Sequence, residues 1–216
     1  MRIDVFSDPV CPWCFIGKRR MERALAQRGL ERDVTIQWRA FQLNPGMPAE
    51  GMPRKSYLAL KFGGEERARQ IYEMIGAAGN EEGIRFAFDS IGQTPNTVNA
   101  HRLIRLAAMH GRSDSVVEAL FRAYFLQGRD IGDTETLVAI AVECGLDSEE
   151  TRILLAGDDY RSDVLAEHDM AVSLNISGVP CFILEGRYAV VGAQQPDAFM
   201  PVFDLVKEEA RQGAES

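Results

Sequence analysis

The sequence is poor in the features that direct a chain to nucleic acid, to a bilayer or to a structural metal. It has no long basic run, and 32 Asp and Glu outweigh 24 Lys and Arg to give a formal net charge of −8. That balance favours solubility and argues against nucleic acid or an anionic membrane as a main partner. No apolar run is long enough to span a bilayer. The opening Met1-Arg2-Ile3-Asp4-Val5-Phe6 is broken by Asp4, and no small-residue cleavage site follows, so a cytoplasmic location is expected. Cysteine is scarce: Cys11, Cys14, Cys144 and Cys181. In a reducing compartment a structural disulfide framework is a poor reading of four cysteines. Zinc is equally poor, because Cys144 and Cys181 lie far apart and lack a Cys or His neighbour at ligand spacing. No metal is expected.

What is present is ordinary globular composition, 46% hydrophobic over 216 residues, which fits one domain with a large insertion or two small ones. Arg2–Phe6 reads as a strand stopped by Ser7-Asp8-Pro9. A helix is expected from Pro12, since proline suits a first turn that needs no N–H, with Gly29 as its stop. Val34–Phe41 is β-rich and makes a second strand. Asn44–Pro53 is a proline-rich loop. Helical periodicity then dominates: Tyr57–Phe62, Glu65–Ala78, a helix opened by Pro95-Asn96, Ser113–Leu126, Thr134–Cys144 and one from Ser148. Asp159–Leu174 is another helix, Gly178-Val179-Pro180 a break, and Cys181–Leu184 with Tyr188–Val191 a hairpin. Pro196–Arg211 closes the chain as an amphipathic helix, with Gly213–Ser216 a loose tail. The ends are α/β and the middle all helix. The expected division is residues 1–45, an insertion at 46–157, and 158–216.

The chemistry concentrates at Cys11-Pro12-Trp13-Cys14. Two cysteines within one turn at the start of a helix that follows a strand can close into a disulfide. Cys11 faces the unpaired N–H groups and the positive end of the helix, both of which favour thiolate. The thiolate is the nucleophile, so Cys11 is expected to attack disulfides and Cys14, one turn in, to resolve the mixed disulfide. Pro12 and Trp13 would tune that chemistry. Val179-Pro180 carries little alone. Ahead of a hairpin and downstream of the cysteine pair, a cis bond there would present Val179 backbone to an extended peptide.

Strand, Cys-Pro-Trp-Cys, helix, strand, helical insertion, helix, Gly-Val-Pro, hairpin and helix resembles the DsbA family of thioredoxin-fold oxidoreductases. Asp8–Cys14, Phe41-Gln42-Leu43-Asn44-Pro45, Asn96–Arg102 and Ser177-Gly178-Val179-Pro180 are similar to its FrnE-like branch of dithiol–disulfide isomerases. That branch also resembles 2-hydroxychromene-2-carboxylate isomerases and kappa-class glutathione transferases, which typically carry serine where this chain has Cys11. The resemblance implies a thioredoxin fold interrupted by a large all-helical insertion. It implies active-site roles for Cys11, Cys14 and Pro180, and places the Asn96–Arg102 helix start near them. It implies no bound cofactor, with glutathione as a candidate co-substrate, and a disulfide- or thiol-bearing protein or small molecule as substrate. A glutathione-dependent isomerase or transferase for a small aromatic compound stays open, as does a non-catalytic redox sensor or chaperone.

Two further residues have double readings. His101 would stabilise the Cys11 thiolate or move a proton, or else pack at the domain junction. Asp8 would take a proton from Cys14 through water, or cap the turn into the helix, and the second is favoured. Cys181 reads as a buried strand thiol and Cys144 as core. His110 and His168 read as surface or edge residues. Met47 and Met52 are exposed loop residues in this reading.

Overall fold

The computed structural model describes residues 1–214. The chain opens with β1 (Arg2–Ser7), α1 (Pro12–Arg28) and β2 (Thr35–Ala40). Then come β3 (Met52–Pro53), α2 (Arg54–Phe62), α3 (Glu65–Glu81), β4 (Gln93–Thr94), α4 (Val98–Met109), α5 (Ser113–Gln127), α6 (Thr134–Glu143) and α7 (Ser148–Ala156). It ends with α8 (Arg161–Ser173), β5 (Cys181–Leu184), β6 (Tyr188–Val191) and α9 (Met200–Ala214).

The four long strands form one sheet in the order β2-β1-β5-β6, with β1 parallel to β2 and the other pairs antiparallel. Register pairs Val5 with Phe182 and Phe6 with Cys181. Side chains alternate across a strand, so Ile3, Val5, Phe182 and Leu184 reach one face, and Phe6 and Cys181 the other. The first face joins the main core. The second forms a smaller cluster with Phe41 and with Ala171 of α8. This order, with a helical block between β2 and α8, is the thioredoxin fold with its insertion. The insertion is helical except for the two-residue ladder β3–β4, which pairs Met52 with Thr94.

The insertion shares a core with the sheet. Phe15 of α1 stacks on Phe121 of α5 at 5.1 Å and meets Phe86 edge-on at 6.2 Å. Buried Lys18 ties the same helices through Asp114 (3.3 Å) and Glu118 (3.4 Å). Capping sets the helix starts: Asp133 accepts from Thr136 N at 2.9 Å and Asp147 from Glu150 N at 2.8 Å, each just ahead of the expected start. α1 ends at Gly29, whose φ of +62° suits glycine.

Some expectations need correction. The closing helix begins at Met200, after a 3-10 turn at Pro196–Ala198. Gly213 and Ala214 continue α9, and the rest of the expected tail lies outside the described residues. Met47 is buried, its carbonyl held by Asn96 Nδ2 at 2.7 Å. Cys144 is half-buried and ends α6 instead of sitting within it.

Candidate active site

Cys11 is the N-cap residue of α1 and Pro12 its first helical residue. The capping position is filled by a sulfur, and no side-chain hydrogen bond caps the helix. The turn into α1 is fixed by backbone: Cys11 N donates to Asp8 O at 2.9 Å and Cys14 N to Cys11 O at 3.0 Å. Cys11 and Cys14 are both buried and unbonded, and their side chains lie within hydrogen-bond reach of one another. Pro12 and Trp13 are half-exposed around them.

The Val179–Pro180 bond is cis. Cys11 Sγ–H donates to the Val179 carbonyl at 3.5 Å, so the sulfur and the break before β5 meet, as the sequence reading placed them. Gly17 explains how α1 comes so close: a Cβ there would stand 2.7 Å from Pro180 Cγ and 3.2 Å from Phe182 Cζ. Only glycine permits that approach. The sequence reading missed it, because a lone glycine inside a helical pattern does not announce what crosses it.

The two sulfurs differ in surroundings. Burial, above all, and then the neighbouring Cys11 push the Cys14 thiol well above its ordinary value. The Ser7 hydroxyl and the Asp8 backbone N–H oppose that shift by hydrogen-bonding the Cys14 sulfur. Neither was marked for that role in the sequence. Cys181 lies across the sheet in the Phe6–Phe41 cluster, on the face away from the pair, and its thiol is also raised by burial.

Asp8 ties the α1 turn to the segment after β2. One carboxylate oxygen accepts from Leu43 N at 2.7 Å and the other from Val10 N at 3.4 Å, and the Thr97 hydroxyl adds a third bond. This geometry fits the capping role. The Phe41–Asn44 motif now has a physical account. It is irregular backbone, buried at Phe41 and Gln42 and half-buried at Leu43 and Asn44, and its polar groups need partners. Phe41 N donates to Ser7 O (3.1 Å), Gln42 N to His168 Nδ1 (3.1 Å) and Leu43 N to Asp8. Tyr57 OH donates to Asn44 Oδ1 at 3.2 Å. His168 is therefore a structural acceptor packed edge-on against Phe41, with a definite partner. His110 is exposed and pairs with Glu150.

His101 approaches Asp8. A carbonyl only accepts, so Nε2 carries the proton given to Phe41 O at 3.2 Å; Asp8 Oδ1 is 3.8 Å from the same nitrogen. Burial lowers His101 to about 4 and raises Asp8 to about 6. At pH 7 the pair is a carboxylate beside a neutral imidazole. The folded Asp8 binds a proton more readily than the unfolded chain does, so between its ordinary 3.8 and about 6 stability falls as pH rises. The folded His101 binds one less readily, so between about 4 and its ordinary 6.5 stability is lost as pH falls. Each shift corresponds to about 3 kcal/mol, and the two oppose one another where their windows overlap. Urea unfolding across that window should therefore vary less with pH in the wild type than in either single variant. Asp8→Asn should lose stability on acidification and His101→Gln should gain it. Three parallel profiles would refute the assignment.

Beyond these residues, burial raises the Tyr72 hydroxyl, with Cys11 adding a smaller push in the same direction, and that hydroxyl accepts from buried Arg54. Among the described residues no group of three or more His, Cys, Asp or Glu is placed to hold a metal ion.

Three comparisons bear on this arrangement. A solved structure described as a probable DsbA oxidoreductase, SCO1869 from Streptomyces coelicolor, superposes with a TM-score of 0.89 at 35% identity, over 97% of this chain and 91% of that one. The cytosolic disulfide reductase DsbM from Pseudomonas aeruginosa, solved with GSH, shares the fold at 17% identity and a TM-score of 0.68, over 96% of this chain and all of that one (100%). The uncharacterised protein YwbO of Bacillus subtilis (strain 168) is 27% identical over 201 residues, 92% of this chain and 94% of its own length. A family model for the DSBA-like thioredoxin domain matches residues 2–202, and the chain belongs to that family.

Proposed function

We propose that this protein is a cytoplasmic thiol–disulfide oxidoreductase and isomerase that exchanges disulfides through Cys11 and Cys14. The observation that carries the reading is the position of Cys11: a sulfur at the N-cap of α1, against the Val179 carbonyl, with Cys14 buried one turn behind it.

In the proposed reaction the Cys11 thiolate attacks one sulfur of a substrate disulfide. A bond forms between Cys11 and that sulfur, the substrate S–S bond breaks, and the other substrate sulfur leaves as thiolate and takes a proton from solvent. Cys14 then loses its proton, attacks Cys11 and releases the second substrate sulfur. The substrate has gained two electrons and the protein holds a Cys11–Cys14 disulfide. In isomerisation a second substrate thiolate attacks the mixed disulfide instead and returns Cys11 reduced.

The raised Cys14 thiol suits this division, since a resolving group that keeps its proton until the mixed disulfide forms does not compete for the first attack. Pro12, Trp13, Val179 and Pro180 frame the sulfur, and the Val179 backbone is the proposed docking edge for an extended substrate. His101 and Asp8 act through the loop they brace. In a reducing compartment the pair rests reduced, and glutathione is the proposed thiol co-substrate that returns it there. The GSH complex of DsbM, a neighbour by fold, is in keeping with that.

The test is trapping. Cys14→Ser protein, offered a disulfide-containing client such as oxidised insulin, should accumulate a mixed disulfide on Cys11 that dithiothreitol releases. Failure to trap, with small-molecule isomerisation intact, would sink the reading and favour the glutathione-dependent alternative.

A further inference from the structure

Resolution requires Cys14 to give up a proton, and Cys14 is 1% exposed. In a mixed disulfide the substrate is bonded to Cys11 and screens that side of the pair from solvent. Asp8 is a poor outlet, because its carboxylate is held by Leu43 N, Val10 N and the Thr97 hydroxyl. The side chain that meets the sulfur from β1 is Ser7, the last residue of that strand, whose hydroxyl hydrogen-bonds Cys14.

Ser7 also borders a small cavity walled by β2, α4, α5 and α8. Its volume is about 10 Å³, close to the least that holds one water. A water needs polar neighbours, and Ser7, Arg39, His101 and Glu167 line the space. Trp38, Arg39, Ile104, Arg105 and Glu167 wall both this cavity and an open cleft of about 670 Å³ beside β2, so the two spaces adjoin. Asp8 lines neither. Glu167, at the junction, is engaged by Arg39 at 3.0 Å, Arg105 at 2.9 Å and Ala40 N at 2.9 Å, which leaves the solvent in the cleft beyond it as the outlet. Arg39 and Arg105 are matched by Asp4, Asp163 and Glu167, and His101 is neutral at pH 7, so the passage carries no net positive charge to repel a proton.

We propose that Ser7 relays the Cys14 proton to a water in this cavity, and through it to the cleft beside β2. The inference rests on the exchange reading above. The Cys14 thiol gives its proton to Ser7 Oγ while the Ser7 hydroxyl passes its own to the water, which hands one on to solvent. Ser7 is then left donating to the Cys14 thiolate. That thiolate attacks Cys11 Sγ. The Cys11–Cys14 bond forms as the bond from Cys11 to the substrate breaks, and the substrate sulfur leaves with the electron pair.

Single-turnover reaction of the reduced full chain with one equivalent of 5,5′-dithiobis(2-nitrobenzoate) separates the steps. Attack by Cys11 releases the first coloured thiolate, and attack by Cys14 releases the second. Ser7→Ala should slow the second release, relative to the first, by about tenfold or more, the effect of losing a positioned proton carrier. That deficit should shrink as pH rises, because hydroxide then takes the proton directly. Val117→Ile keeps Ser7 and adds a methylene to the cavity wall, so by displacing the water it should slow the second release too. A wild type that gives no second release would overturn the exchange reading and the relay with it. A normal second release in the wild type, matched by Ser7→Ala, would overturn the relay alone. So would a slowing in Ser7→Ala that is the same at every pH, since that marks a structural role. An unchanged second release in Val117→Ile would overturn the route through this cavity.

Discussion

Cys11→Ser should lower disulfide-exchange turnover by on the order of 10³-fold or more, because a serine hydroxyl neither ionises near neutral pH nor forms the exchangeable bond. The same variant should also nearly abolish rapid alkylation of the reduced protein. The other three thiols are all held up by burial: Cys14 most strongly, Cys181 in the cluster beneath the sheet, and Cys144 with Glu143 beside it. Iodoacetamide at pH 7 should therefore label Cys11 first in the wild type and leave Cys11→Ser largely unlabelled over the same time. Serine is close to isosteric, and the α1 turn is set by the backbone bonds at Asp8 and Cys14, so folding should be little affected. Equal labelling of the wild type and Cys11→Ser would mean that the reactive sulfur is elsewhere. Retained turnover in Cys11→Ser would end the proposed mechanism.

Local signals carried much of the fold. The hairpin Cys181–Leu184 and Tyr188–Val191 has the boundaries its alternation implied, because a short apolar run on each side of Glu185-Gly186 allows few other pairings. Pro12 and Gly29 marked the ends of α1, since proline and glycine act on their own residue's φ and on the adjacent hydrogen bonds. The ladder β3–β4 escaped: two residues a side leave no alternation to read, and its partner is some 40 positions away in sequence. The start of α9 escaped too, because Pro196 opens a 3-10 turn as readily as an α-helix.

The site divides the same way. Cys11 and Cys14 were legible because their chemistry depends on a spacing of one helical turn. Val179-Pro180 was legible only in combination with them. Ser7, Thr97 and Gly17 were not, because each acts through a partner brought up by tertiary packing: Cys14, Asp8 and Pro180. His101 was noticed as a possible neighbour of Cys11, and the structure turns its ring to Phe41 O and Asp8. Arg54 gave no signal at all, since a lone arginine opening an amphipathic helix ordinarily faces water.

The largest stability loss should come from Arg102, a residue on the α4 face that the sequence motif contains but does not explain. It is fully buried. Its guanidinium donates to Asp159 O at 2.7 Å, Gly157 O at 2.7 Å, Asn99 Oδ1 at 2.9 Å and the Leu154 carbonyl. The three carbonyls among them span the end of α7 and the turn into α8, where Tyr160 sits at a φ of +61°, a conformation that disfavours a side chain. Arg102 thus holds the carbonyls on one side of a strained residue and fixes where α8 begins. α8 in turn supplies Glu167, which accepts from Ala40 N at 2.9 Å, and His168, which holds the loop behind Asp8. Arg102→Met keeps much of the volume and leaves those acceptors without their donor, a change that costs about 3–5 kcal/mol. For a chain of this length that is a fall of about 10 °C in Tm. Arg102→Lys should rescue little, because one ammonium on a flexible stem does not reach acceptors spread across a planar fork. Thermal and urea denaturation of both variants would decide it: a loss below about 1 kcal/mol in Arg102→Met would show that solvent or a rearranged turn satisfies these carbonyls as well as the guanidinium does.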